Sequence, residues 1–266
     1  MRNLILLSGP SIANFPKSLK NANVRTFSIN RKSKIEIEIL GRGVDFWYIG
    51  SPPEFLAMFD EIKNFLARAE NNALLTTTYC LKEVLERIGE LPNSKKIIIV
   101  DKEIEEVHGT HGGKNHWNSL SVLLFWISKN LNETTYIFGM DGVAKPGEAT
   151  YFGKDALDEK RLVFSRLYED MKFFDENFEE MMREKGQKLK VFNANPDSFY
   201  HVFPKSTPSF HSLNSSTTNQ KKLKKRTFSN LQLQKMTLKK HFPKKSGFRS
   251  LRRRIKSKIK DFFTKK

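Results

Sequence analysis

Tyr136-Ile137-Phe138-Gly139-Met140-Asp141-Gly142 opens the segment Tyr136–Lys154, YIFGMDGVAKPGEATYFGK, a strand that runs into a polar loop. Three apolar residues suited to a strand stop abruptly at a turn that delivers a carboxylate, Asp141, between two glycines. Just upstream, Ser119 to Leu131 (SLSVLLFWISKNL) reads as a short buried helix. The order helix, turn, strand, polar loop is that of an open parallel sheet, where ligands bind outside the carboxyl ends of the strands.

Working outward, the chain repeats this grammar. Residues 3–7 (NLILL) form a strand running into Ser8-Gly9-Pro10-Ser11. Val24–Asn30 alternates and ends on Asn30, and Asp45–Ile49 closes on Gly50-Ser51-Pro52-Pro53. Further strands are expected at 73–78, 96–100 and 188–192, the last ending in Asn193-Ala194-Asn195-Pro196. Helices are expected at 54–69, where Phe55, Met58, Phe59, Ile62 and Phe65 recur at helical spacing, and at 158–185. Strands alternating with helices argue for an α/β domain, a Rossmann-like and mostly parallel sheet with flanking helices. If the sheet is parallel, the polar strand ends converge on one rim, making a pocket able to hydrogen-bond a nucleotide or sugar.

The 266 residues suffice for one ordinary domain plus an appendage, with a core that requires no staples. Cys80 is the single cysteine, which excludes an intrachain disulfide framework and fits a reducing compartment. The apolar run LILL is too short for a signal peptide, and no stretch of about 18 apolar residues exists to span a membrane.

The net charge of +18 is unevenly placed. Residues 205–266 hold 20 Lys/Arg and one acid, Asp261, whereas residues 1–204 hold 27 basic and 28 acidic residues. This divides the chain into an α/β domain at 1–204, a basic polar linker at 205–246 expected to be disordered, and a basic amphipathic helix at 247–266. Within that helix Leu251, Ile255, Ile259, Phe262 and Phe263 share a face amid Arg and Lys, the composition of a helix that lies on an anionic membrane surface. Nucleic acid is the weaker partner, since tail basicity comes without a recognition fold.

Each candidate residue has a bland and a functional reading. Asp141 suits accepting a sugar hydroxyl, orienting a base or holding a divalent metal; it also suits bonding to the amides of its own turn. Ser8, Gly9, Pro10 and Ser11 suit a phosphate through hydroxyls and amides, without the pattern of a Walker loop, and equally suit a helix cap. Tyr151 and Lys154 have phosphate-directed chemistry. His108, His111 and His116 match no zinc spacing, and no metal site is read from them. Histidine side chains titrate near neutrality, which makes His116, close to Ser119, a candidate acid–base group.

Several of these segments, in order along residues 1 to about 204, resemble those of the bacterial lipooligosaccharide sialyltransferases. They are also similar to the related motility-associated flagellin-glycosylation factors and hydroxymethylpterin pyrophosphokinase-like proteins. Ile5–Ser11 is similar to the family's first strand and its Gly-Asn-Gly-Pro-Ser loop. Phe27-Ser28-Ile29-Asn30 resembles the second strand end, whose asparagine contacts the donor. Ser119 stands at a family serine that contacts donor, and Gly139-Met140-Asp141 at a Gly-Ile-Asp. Tyr151-Phe152-Gly153-Lys154 resembles Tyr-Ile-Gly-His, whose tyrosine holds donor phosphate and whose histidine is the base. Asn195-Pro196-Asp197-Ser198 resembles a Pro-Asn-Ser segment, and the basic C-terminal helix resembles the family's membrane-associating end.

The chain departs from the family where Ser8 and Gly50-Ser51 replace asparagines, His116 replaces an arginine and Lys154 replaces the base histidine. A lysine is protonated at neutral pH, with a reference value of about 10.4, and is a poor base unless its surroundings lower that strongly. The resemblance implies a glycosyltransferase using a nucleotide-activated sugar in surface-glycan synthesis, held at the cytoplasmic face of the membrane. His116 or Asp141 would then activate the acceptor hydroxyl, and Ser8, Gly9, Pro10, Ser11, Asn30, Ser119, Gly139 and Tyr151 would hold the donor. The alternatives are a pyrophosphokinase-like phosphoryl transferase, with magnesium on Asp141, and a non-catalytic membrane-associated accessory protein.

Overall fold

The computed structural model describes residues 2–30, 35–68, 72–90, 96–109, 117–142 and 164–208. Seven parallel strands form one sheet: β1 (Arg2–Leu6), β2 (Val24–Ile29), β3 (Phe46–Ile49), β4 (Ala73–Thr76), β5 (Ile97–Ile99), β6 (Thr135–Phe138) and β7 (Val191–Asn193), in the order β5-β4-β3-β2-β1-β6-β7. The α/β reading therefore holds. Residues 209–266, which include the expected C-terminal helix, lie outside the described part.

Alternation along the strands sorts side chains onto two faces. Ile5, Phe27, Phe46, Tyr48, Leu75, Ile98, Ile137 and Val191 share one core with the helices α4 (Asp101–His108), α5 (Ser119–Asn130) and α6 (Phe164–Glu184). On the other face Trp47 meets Phe65 edge-on at 5.5 Å, and Phe138 meets Phe15 at 4.8 Å. α5 is buried without interruption from Leu120 to Ser128, as expected of a helix that is apolar all round. Its buried Ser128 hydroxyl bonds Gln187 Oε1 at 3.1 Å and the Lys188 carbonyl at 3.2 Å.

Three local expectations change. The helix expected at 54–69 is two helices, α1 (Pro52–Ala57) and α2 (Phe59–Ala67), separated at Met58 (φ −113°, ψ 20°), because α1 packs on the helix at Thr78–Ile88 while α2 packs against β4. The strand expected at 73–78 ends at Thr76, and Thr77 caps α3 (Thr78–Ile88) by accepting the Cys80 N–H at 2.9 Å. The last strand begins later than expected, at Val191, since Lys188 and Lys190 precede the buried run.

Every strand points the same way, so their carboxyl ends form one rim. The connections part company between β1 and β6: β1 leads on to β2 on one side, and β6 to β7 on the other. In open parallel sheets ligands bind at such a switch point.

Candidate functional site

Two glycines make the meeting of β1 and β6 possible. The Leu7 N–H donates to the Phe138 carbonyl at 2.9 Å, and the Gly9 N–H to the Gly139 carbonyl at 3.1 Å. A Cβ on Gly9 would stand 2.2 Å from that carbonyl oxygen, and one on Gly139 would stand 2.3 Å from the Leu7 carbonyl. Gly139 also holds φ +73°, which side-chain-bearing residues adopt at a cost. The loop after β1 and the loop after β6 therefore touch backbone to backbone.

Asp141 fastens this contact. Its Oδ2 accepts the Ser11 N–H at 2.7 Å, and its Oδ1 accepts the Ser11 hydroxyl and, at 2.8 Å, the Asn195 side-chain amide. The Ser11 amide belongs to the single helical turn Pro10–Asn14, so Asp141 satisfies one of that turn's free donors from another loop. The carboxylate bonds across the rim rather than within its own turn. Behind it, the Met140 carbonyl accepts the buried Asn193 side-chain amide at 3.1 Å and the Ser198 hydroxyl at 2.5 Å, and the Asp141 carbonyl accepts the Phe199 N–H at 2.7 Å.

The loop after β7 closes the third side. Asn195 Oδ1 accepts the Asp197 N–H at 3.0 Å, a turn that aims the Asn195 amide at Asp141. The Lys205 amine donates to the carbonyl oxygens of Ser198, at 2.9 Å, and Tyr200. Desolvation at this position lowers the Lys205 amine from its ordinary 10.5, against the opposing pull of Asp175.

Of the predicted residues, Gly9, Ser11, Gly139 and Asp141 thus come together in one contact, with Pro10 exposed at the head of its turn and Ser8 half-buried beside them. Asn30 reaches the same rim at the end of β2 in a left-handed conformation, φ 52°. Its carbonyl accepts the Trp47 indole N–H at 2.5 Å, while its side-chain Oδ1 is buried with no hydrogen-bond partner. Ser119 opens α5, and Asn118 caps the helix by accepting the Ser121 N–H at 3.1 Å. Because α5 runs down to the start of β6, its Ser119 end is at the rim. Tyr151, Lys154, His111 and His116 lie outside the described residues; His108 ends α4.

Asn195 and Ser198 were absent from the predicted site. Their signal is the polar run Asn195-Pro196-Asp197-Ser198 beyond the last strand, the same kind of strand end that marked the others. Gly50, by contrast, has an internal purpose: a Cβ there would stand 2.5 Å from the Tyr48 hydroxyl. Burial, reinforced by Cys80 and Glu54, pushes that hydroxyl above the ordinary tyrosine range. The rim beyond β4 is likewise filled, with Asp101 accepting the Thr78 N–H at 2.8 Å at the start of α3. Among the described residues no group of three or more His, Cys, Asp or Glu side chains is placed to hold a metal ion, and no helix is long and apolar enough to cross a membrane.

No protein-family model matches the sequence, and no curated protein matches it. Solved structures do. The monofunctional alpha-2,3-sialyltransferase Cst-I from Campylobacter jejuni aligns with 98% of this chain and 95% of its own, at 14% identity and a TM-score of 0.51. The fold is sialyltransferase-like. The sialyltransferase CstII of the same organism, solved with the substrate analogue CMP-3FNeuAc, aligns with 89% of this chain and 98% of its own, at 16% identity and a TM-score of 0.49. At these identities the likeness concerns the fold. Within a sialyltransferase-like fold, the β1/β6 switch point is where Gly9, Gly139 and Asp141 meet.

Proposed function

We propose that this chain is a glycosyltransferase that takes a nucleotide-activated sugar at the rim where the β1 and β6 loops join. The observation that carries the reading is the junction of Ser11, Gly9, Gly139 and Asp141 at the switch point of a sialyltransferase-like sheet. Bare backbone at Gly9 and Gly139 lets the two loops join, which brings Ser8, Ser11 and Asp141 to one place on the rim.

In this reading Asp141 is a positioning group: its two oxygens already accept three hydrogen bonds, and their work is to fix the β1, β6 and β7 loops relative to one another. Asn30 offers the donor a buried, unpartnered acceptor for an N–H or O–H, and filling it relieves a penalty of about 1–3 kcal/mol. Chemistry is displacement at the anomeric carbon. The acceptor oxygen forms the new bond, the nucleotide phosphate leaves with the electron pair of the bond that breaks, and the hydroxyl proton passes to a base. That base is assigned to His116, with Tyr151 and Lys154 serving the phosphate and Ser8 and Ser119 the donor. The basic segment 247–266 would hold the enzyme at the inner face of an anionic membrane, where a surface glycan is extended.

The test is binding of the purified full chain to cytidine and uridine nucleotide sugars and to ATP, with and without magnesium. Preference for a nucleotide sugar, weakened about tenfold by Asn30→Ala, supports the reading. Magnesium-dependent ATP binding alone would replace it with phosphoryl transfer, and silence across the panel with a non-catalytic role. Liposome flotation of the full chain and of residues 1–204 tests the membrane assignment: equal binding would sink it.

A further inference from the structure

Among the described residues three large apolar side chains stand exposed: Tyr79, Ile88 and Phe199. Tyr79 and Ile88 lie at opposite ends of α3. Phe199, 43% exposed, stands beside the junction just described. Its N–H is tied to the Asp141 carbonyl at 2.7 Å. Before it, the Ser198 hydroxyl is buried on the Met140 carbonyl; after it, the Tyr200 N–H donates to that same hydroxyl at 3.1 Å. Lys205 bonds the carbonyl oxygens on both sides. Tyr200 turns inward to meet Phe174 edge-on at 5.8 Å, whereas Phe199 is left facing water. Gly142, at φ +75°, makes room for it, since a Cβ there would stand 3.3 Å from Phe199 Cβ and 3.1 Å from the Tyr200 ring.

We propose that Phe199 is the platform on which the acceptor's sugar ring stacks, and so a specificity-determining residue of the glycosyl transfer; this rests on the glycosyltransferase reading. An aromatic ring held out of the core on a backbone clamped on both sides is a preorganised apolar surface. The face of a pyranose that carries only C–H groups is apolar and slightly positive, and it matches the negative face of an aromatic ring. A nucleobase also stacks on such rings, but position favours the sugar. Asn30 ends β2, and Phe199 follows β7, three strands away in the order β2-β1-β6-β7. At about 4.8 Å per strand the separation is roughly 14 Å, so a donor held at Asn30 leaves the Phe199 ring on the far side of the junction for the acceptor.

The probes are CMP and lactose, whose galactose ring has a continuous C–H face, each titrated into the full chain by calorimetry, with saturation-transfer NMR to map the lactose protons. Phe199→Ala should leave CMP affinity within about twofold while weakening lactose about tenfold, with or without CMP, and should remove saturation transfer to the C–H face; Phe199→Trp should restore both. Because the side chain is half in water, Phe199→Ala should fold normally, which circular dichroism checks. Unchanged lactose affinity, equal loss of CMP and lactose, or no lactose binding to the wild-type chain would each overturn the proposal. Lactose binding that depends on Phe199 in a chain that ignores CMP would uphold the platform and sink the nucleotide-sugar reading separately.

Discussion

The Asp141 carboxylate accepts the Ser11 N–H at 2.7 Å although 130 residues separate the two, and it takes the Ser11 hydroxyl as well. A charge-assisted pair of this kind reinforces the backbone contact of Gly9 with Gly139 in holding the two loops together. Around it, the glycines remove every side chain that would hold the loops apart.

That pairing has a measurable strength. We expect Asp141→Ala to destabilise the chain by about 2–3 kcal/mol and Ser11→Ala by about 1 kcal/mol. A double-mutant cycle in urea should return a coupling of about 1 kcal/mol, since the Ser11 amide bond survives loss of the hydroxyl. Strict additivity would show that the hydroxyl is not coupled to the carboxylate.

Gly139→Ala and Gly89→Ala separate backbone strain from steric contact. Both glycines have left-handed φ, +73° and +81°, but a Cβ on Gly139 would meet the Leu7 carbonyl at 2.3 Å while Gly89 has nothing within 4 Å. We expect about 1 kcal/mol of destabilisation for Gly89→Ala and about 3 kcal/mol for Gly139→Ala. Equal losses would mean that the β1/β6 loops can part at no cost.

Away from the site, Glu36 is a buried carboxylate whose oxygens accept Arg68 Nη1 at 3.0 Å, Arg68 Nη2 at 3.1 Å and the Val44 N–H at 2.9 Å. Its side chain is 8% exposed. Arg68→Ala should therefore cost about 3 kcal/mol, lowering Tm by about 6–12 °C. Adding Glu36→Gln should recover part of the loss, because a buried carboxylate that has lost its two-pronged guanidinium contact costs more than a buried amide. Calorimetry on the three variants checks both statements.

Cys80 offers a pH test. Burial is the largest influence on its thiol and raises it above the ordinary 9.0, outweighing the hydrogen bonds from Thr77 and Thr76. Alkylation at pH 8 should be negligible in the folded chain and rapid in urea. Above pH 9 the unfolded thiol ionises first, so the unfolded chain binds fewer protons and stability falls as pH rises toward the folded value. Cys80→Ser should flatten that decline; an unchanged slope would assign it elsewhere.

Much of the fold was legible because strands and their ends are local. Short apolar runs stopped by Ser8-Gly9, Asn30, Gly50-Ser51 and Gly139 locate strands wherever they are placed in the sheet. Helices α3 and α4 were missed because their first residues continue strand-like runs, and only Thr77 and Asp101, as partners of α3's first turn, mark the change. Asn195 was missed as a site residue for a different reason: its turn is local, but its partner Asp141 is not.

An α/β chain with polar strand ends, a nearly neutral body and a basic tail is legible from the residues alone, because apolar patterning, turn chemistry and charge are properties of neighbouring residues. The tertiary structure alone decided that β1 and β6 lie side by side, that Gly9 rests on Gly139, and that the Asp141 carboxylate is shared between Ser11 and Asn195. Strand order is set by which faces bury together across the whole domain, and no local pattern encodes it. The carboxylate that the sequence marked by its flanking glycines acquires its role only from the two loops that order brings to it.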